Sequence, residues 1–318
     1  MNIRTDLAIE AAVLYNKDPK DTGDIDGVKV SVSQQNNIKT THVEIINENG
    51  EKAVGKKIGN YITIESPGIR DNDEEIFSET SKILSCELKK VLKLKEKSTV
   101  LVVGLGNWNV TPDALGPKVI SNLLVTRHLI EYAPEYFEDS GTSVCAISPG
   151  VLGLTGIETS EIIKGITDKV RPDAIIAIDA LASRKTDRIS TTIQIADTGI
   201  TPGSGVGNKR KGLDKEFLGV PVIAIGVPTV VDAATVANDA VELLIENIKK
   251  HADESDEMMK FANNFDFEQT YPLIKEVLTP YVGNLIVTPK EVDEIIEQIS
   301  KIIAKGINNV LVREELFS

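Results

Sequence analysis

The chain has 318 residues, 41% of them hydrophobic and 26% charged, with a formal net charge of −13 at neutral pH. That length supports one large α/β domain or two smaller ones. No apolar run reaches the roughly 18 residues that would span a bilayer, residues 1–7 lack the apolar stretch of a secretion signal, and the acidic balance argues against direct nucleic-acid binding. The expectation is a cytoplasmic globular protein with no membrane partner.

In chain order, residues 5–15 read as a helix capped by Thr5, with Leu7, Ala8, Ala11, Ala12 and Tyr15 on one face. From 28 to 64 the period becomes two. Val28, Val30 and Val32 alternate with polar residues, as do Val43 and Ile45, and Asn47-Glu48-Asn49-Gly50 fits a hairpin turn. A further strand is expected at 61–65 and a helix at 73–94. Beyond Ser98 the pattern becomes β-α-β-α. Strands are expected at 99–103, 143–147, 174–178, 191–195 and 220–226, and helices at 112–129, 160–170, 232–249 and 289–307. Runs such as Val100-Leu101-Val102-Val103 and Ile175-Ile176-Ala177-Ile178 are apolar on both sides, as strands covered on both faces are. The predicted fold is a three-layer α/β/α arrangement around a mostly parallel sheet, with a β-rich subregion at 28–66 and a helical insertion at 251–282.

Cys86 and Cys145 sit in apolar patterns and are expected as buried thiols, not a disulfide. His42, His128 and His251 are far apart and match no metal-ligand spacing, so no metal or cofactor is expected.

Two carboxylates stand where open parallel sheets keep their chemistry, beyond the carboxyl ends of strands. Asp113 follows the 99–103 strand through a glycine turn and opens the next helix, where free amides and the helix dipole favour a charged carboxylate. Its plainer role is support of that helix end. Asp179 ends the 174–178 strand, where an aspartate costs free energy unless paired or useful. Its plainer role is a hydrogen bond to a neighbouring loop. If the two share a proton, one activates water while the other protonates the scissile group, without metal or covalent nucleophile.

The glycine-rich, basic stretch at 198–212 lacks the order of a phosphate-binding loop and reads as a flexible loop near a site or interface. Ser204 does not meet the nucleophile-elbow pattern, and Gly104-x-Gly106 lacks the third glycine of a dinucleotide fingerprint.

These residues together resemble the germination proteases of spore-forming bacteria. The resemblance is carried by Arg4-Thr5-Asp6-Leu7-Ala8, Gly59-Asn60-Tyr61 and Pro67-Gly68-Ile69-Arg70. It continues through Gly104-Leu105-Gly106-Asn107, Thr111-Pro112-Asp113-Ala114-Leu115-Gly116-Pro117 and Ala177-Ile178-Asp179-Ala180-Leu181. It extends to Pro202-Gly203-Ser204-Gly205-Val206-Gly207-Asn208 and Ile225-Gly226-Val227-Pro228-Thr229-Val230-Val231-Asp232. The resemblance implies an atypical aspartic endopeptidase on a phosphorylase/hydrolase-like fold related to hydrogenase maturation proteases. It puts the catalytic pair on Asp113 and Asp179. It also implies small acid-soluble spore proteins as substrates, a homotetramer, residence in the forespore or spore core, and synthesis as a self-processing zymogen.

Family substrates are cut after the first acid in sequences like Thr-Glu-Phe-Ala-Ser-Glu. Thr5-Asp6-Leu7-Ala8-Ile9-Glu10 repeats that order, so self-cleavage is expected between Asp6 and Leu7, leaving a 1–6 propeptide and a 7–318 peptidase. An ordinary capped amphipathic helix explains the same pattern. Two other functions stay open on the residues alone: a metal-dependent or hydrogenase-maturation-like hydrolase using the same carboxylates, and a binding protein using Lys209 and Arg210 for an anion.

Overall fold

The computed structural model describes residues 7–10, 25–71, 73–134, 142–202, 211–251, 257–265, 267–283 and 285–312. Ala8, Ile9 and Glu10 are helical; Thr5, the expected cap, lies outside the described residues.

Strands β1 (Val28–Gln35) and β2 (Ile38–Ile45) form a hairpin in which Gln35 pairs with Ile38. The turn is therefore Asn36-Asn37, with Asn36 left-handed at φ 51°, a conformation asparagine tolerates. The hairpin expected at Asn47 is instead the start of helix α1 (Glu48–Val54). The Asn47 carboxamide accepts the Gly50 N–H at 3.0 Å, so its turn-forming chemistry serves as an N-cap.

Strand β3 (Gly59–Glu65) follows, then helix α2 (Glu74–Leu92), capped by Asp73. Leu84 and Leu88 of α2 point into the core and Cys86 points out, so Cys86 is exposed, contrary to expectation; Cys145 is half-buried. Strand β4 (Thr99–Gly104) leads to a single turn at Thr111–Asp113 and to helices α3 (Leu115–Ser121) and α4 (Arg127–Tyr132). One long helix was expected here. It breaks after Asn122 because Thr126 turns to β5 (Ser143–Ile147), its hydroxyl accepting the Val144 N–H and donating to the Thr142 carbonyl.

Helix α5 (Thr159–Val170) precedes β6 (Ala174–Ser183). Then come β7 (Thr192–Ala196), β8 (Val222–Asp232), α6 (Ala233–His251), α7 (Glu257–Asn263), α8 (Phe267–Val282), β9 (Ile286–Val287) and α9 (Val292–Leu311).

The strands form one sheet in the order β1-β2-β3-β7-β8-β6-β4-β5, with β9 beside β8. β5, β4, β6 and β8 run parallel; the β1-β2-β3-β7 half and β9 are antiparallel. The sheet is thus mixed, with the expected parallel character confined to the half that carries Asp179.

Helices cover both faces. On one, Leu84, Leu88, Leu115, Ile176, Ile296 and Ile299 join α2, α3 and α9 to the sheet. On the other, Leu101, Val103, Ile163 and Ile175 pack under α5, while Ala8, Val54, Tyr61 and Ala224 seat the 7–10 segment and α1. Helices α7 and α8 pack on α6.

Helix α3 lies unusually close to β4. A side chain on Gly116 would place Cβ 2.3 Å from the Leu105 carbonyl oxygen and 2.5 Å from its nitrogen. Gly116→Ala should therefore force α3 off the sheet and cost about 1–3 kcal/mol, read as a lowered denaturant midpoint. Gly153→Ala, which meets nothing within 4 Å, is the control expected to leave it in place.

Candidate active site

Strand β4 stops opposite Ile178, where Gly104 is its last paired residue. The Leu105 N–H then donates to the Ile178 carbonyl at 2.8 Å. Asp179 is the next residue of β6, and the strand runs on to Ser183; Asp179 thus sits inside the strand where an end was expected. Past that point β6 has lost its β4 neighbour and keeps β8, and this step in the sheet is the rim on which Asp179 lies.

Asp113 reaches the same rim by another route. After Leu105 the chain turns at Gly106, with φ 111°. The Asn107 N–H donates to the Asp113 carbonyl at 3.0 Å, and the Asp113 N–H to the Val110 carbonyl at 2.8 Å. A Cβ on Gly106 would lie 2.0 Å from the Asp113 carbonyl oxygen and 3.2 Å from Oδ1. Glycine is thus required there by both the dihedral and the close approach. The Thr111–Asp113 turn packs beside β6 and β8.

Asp179 is 6% exposed and accepts the Ala180 N–H at 3.0 Å. Across the sheet it pairs with Gly226, which pairs with Gln194, which pairs with Thr63. Side chains in that row face the side on which residues 7–10 dock. The Ala8 N–H donates to Gln194 Oε1 at 2.7 Å. Leu7 is fully buried and packs with Ile9 and Leu181. Gly226 makes this possible, since a Cβ there would lie 2.3 Å from Leu181 Cδ1.

Leu181, on which Leu7 packs, lies two residues along β6 from Asp179 and on the same face by strand alternation. Asp6 lies outside the described residues, as do Ser204, Lys209 and Arg210. Sequence reading missed Gln194, Leu181 and the partners of Glu10, which are distant in the chain. The one available signal was that apolar alternation in β6 persists through Leu181.

Beside this wall is a cavity of about 300 Å³, bounded by Leu181, Gln194, Gly226, Tyr61, Lys57 and Asp214. Lys57 Nζ donates to Asp214 Oδ2 at 2.7 Å. That hydrogen bond raises the Lys57 ammonium above its ordinary pKa and holds the Asp214 carboxyl below its own. Burial pushes the Tyr61 phenol up; its hydroxyl donates to the Lys57 carbonyl at 2.8 Å. Among the described residues no three His, Cys, Asp or Glu side chains converge as a metal site.

The chain matches the germination protease family over residues 8–269 and 259–315. The chain belongs to that family. A germination protease of Caldanaerobacter subterraneus is 54% identical over 311 residues, covering 98% of this chain and 94% of its own. One from Clostridium tetani is 53% identical, covering 98% and 96%, and one from Bacillus cytotoxicus 44%, covering 97% and 93%. Membership in the germination protease family makes the protein an endopeptidase of spore germination. A nickel-iron hydrogenase maturation protease from Thermococcus kodakarensis aligns with 61% of this chain and 99% of its own at 20% identity. Its TM-score of 0.30 is too low to bear on the fold.

The Lys57–Asp214 pair has a defined pH window. The lowered Asp214 pKa contributes stability above the unfolded value near 3.9 and loses it as pH falls through the folded value. The raised Lys57 pKa contributes below about 10.4 and loses it as pH rises through the folded value. Lys57→Met should move the Asp214 carboxyl pKa back up, as followed by carbon-13 NMR titration. Because the lysine is largely solvated, it should change overall stability by under about 1 kcal/mol.

Proposed function

We propose that the protein initiates degradation of small acid-soluble spore proteins, with Asp113 and Asp179 activating the attacking water, and that it is made as a zymogen that cuts its own Asp6–Leu7 bond. The observations that support this reading are the positions of two carboxylates near the end of β4 and the burial of Leu7 beside them. Asp113 lies in the turn that packs beside β6, Asp179 is the β6 residue just past the end of β4, and Leu7 packs on Leu181, two residues further along β6.

The chemistry follows from like charges at one site. Two neighbouring carboxylates favour sharing a proton, because full ionisation of both is penalised. The ionised member takes a proton from water as it attacks the scissile carbonyl. The protonated member donates its proton to the carbonyl oxygen; on collapse it takes that proton back, while the carboxyl that received the water proton passes it to the leaving amine, which restores the one-proton pair. A pair of this kind works while one proton is retained, so mild acid favours self-processing.

The remaining parts of the proposal rest on family membership. They are a homotetramer acting in the forespore or spore core, without direct contact to nucleic acid or membrane. Exposed Leu243, Leu244, Phe261, Leu273 and Val277 on α6, α7 and α8 supply apolar surface for partner copies. No helix among the described residues is long and apolar enough to cross a membrane.

Asp113→Asn and Asp179→Asn should each lower cleavage of a small acid-soluble spore protein by about 100- to 10,000-fold while keeping the wild-type circular dichroism spectrum. Chelator should leave wild type unaffected. Loss of wild-type activity in chelator, restored by a single metal, would replace the aspartate pair with a metal-dependent hydrolase. After incubation in mild acid, amino-terminal sequencing should read Leu-Ala-Ile-Glu for wild type and begin at Met1 for both variants.

A further inference from the structure

Glu10 is 4% exposed, although nothing in the Asp113–Asp179 chemistry uses it. A buried carboxylate is unfavourable unless it is paired or hydrogen-bonded, and three groups meet this one. Ser183 Oγ donates to Glu10 Oε1 at 3.1 Å, the Arg184 N–H donates to Oε2 at 3.1 Å, and Arg188 Nη1 lies 3.4 Å from Oε1. Ser183 and Arg184 are the end of β6 and the residue after it.

Asp179, Leu181 and Ser183 thus occupy alternate positions on the strand that bears Asp179. Leu181 packs on Leu7 and Ser183 binds Glu10. Leu7 and Glu10 are three apart in a segment that is helical from Ala8, so both reach the same wall from one side. Between them the Ala8 N–H is held by Gln194.

On its far side Arg188 is held by a second carboxylate. Its Nε lies 3.5 Å from Glu65 Oε1, and the arginine side chain is itself mostly buried. Glu65 keeps the guanidinium in place, while Ser183 and the Arg184 amide stand on the sheet framework. The groups that meet Glu10 are thus anchored outside the 7–10 segment.

We propose that the Ser183–Arg184–Arg188 pocket is a specificity site for peptide substrates. It reads an acidic side chain three residues after an apolar one that seats on Leu181, with the 7–10 segment as its resident occupant. The inference rests on Asp179 being the catalytic edge of the groove, because only then does a peptide bound along β6 place its scissile bond before the apolar residue.

The test uses the full chain carrying Glu10→Gln, whose own segment no longer fills the pocket with charge. The probes are fluorescent Leu-Ala-Ile-Glu-Ala-Ala and its Leu-Ala-Ile-Gln-Ala-Ala counterpart, read by anisotropy. Competition from the resident segment weakens both probes equally, so their ratio reports the pocket. The Glu probe should bind about 10- to 100-fold tighter than the Gln probe, the usual range for a hydrogen-bonded charge. Adding Arg188→Gln should bring the ratio near one, and Arg188→Lys should restore part of it.

In cleavage assays of the processed wild type, the same preference should appear in kcat/KM for longer peptides spanning residues 2–13. Equal binding of the two probes, no binding of either, or a ratio untouched by Arg188→Gln would overturn the proposal. Adding Asp179→Asn separates the two readings. A retained probe ratio with lost cleavage supports both, whereas a retained ratio with wild-type cleavage removes Asp179 from catalysis and with it the assignment of the scissile bond.

Discussion

Strand β6 outruns its neighbour β4, and the rest of the site depends on that mismatch. β4 ends its pairing opposite Ile178, whereas β6 continues to Ser183 alongside β8. For its first five residues β6 is sealed between helices on both faces, which fixes its position. For its last five it has β8 as its strand neighbour, and the Thr111–Asp113 turn packs beside the strand. The carboxylate at the changeover is mostly buried and accepts the Ala180 N–H. A buried carboxylate is kept where it is paired, hydrogen-bonded or useful, which is the ground for proposing Asp179 as a catalytic group.

The same overhang organises the docking of the chain's own start. A strand presents every second residue to one face, so Asp179, Leu181 and Ser183 form a short ladder of acid, apolar and hydroxyl side chains. Residues 7–10 match it with an apolar side chain and an acid three residues apart, and Gln194 holds the backbone between them. Gly226 and Gly106 clear the space on either side. One lets Leu181 lie across β8, and the other lets the Asp113 turn close against the end of β4. Each glycine acts through volume it does not occupy.

Helix α3 illustrates how close packing, more than helix propensity, positions Asp113. Gly104 and Gly116 allow β4 and α3 backbones to touch, so the turn ahead of α3 is pinned at the rim. Propensity alone would run one helix from 112 to 129. The break at Asn122 arises because Thr126 satisfies two backbone groups around β5, a tertiary gain that outweighs the lost helical bonds.

Much of this was legible in the residues. Doubly apolar runs located β4, β6 and β8, the period-two stretch located β1 to β3, strand and helix ends singled out Asp113 and Asp179, and the family resemblance marked the 5–10 segment. These features are local, because side-chain period and burial demand are written in adjacent residues. The hairpin turn was misplaced to Asn47 because asparagine serves a turn and a helix cap equally well, and only the partner N–H of Gly50 decides between them. The antiparallel half of the sheet, the continuation of β6 to Ser183 and the convergence of Arg188, Ser183 and Gln194 on residues 7–10 were decided by tertiary structure alone. Each depends on which strands become neighbours, and residues some 170 positions apart in the chain carry no local signal that they will meet.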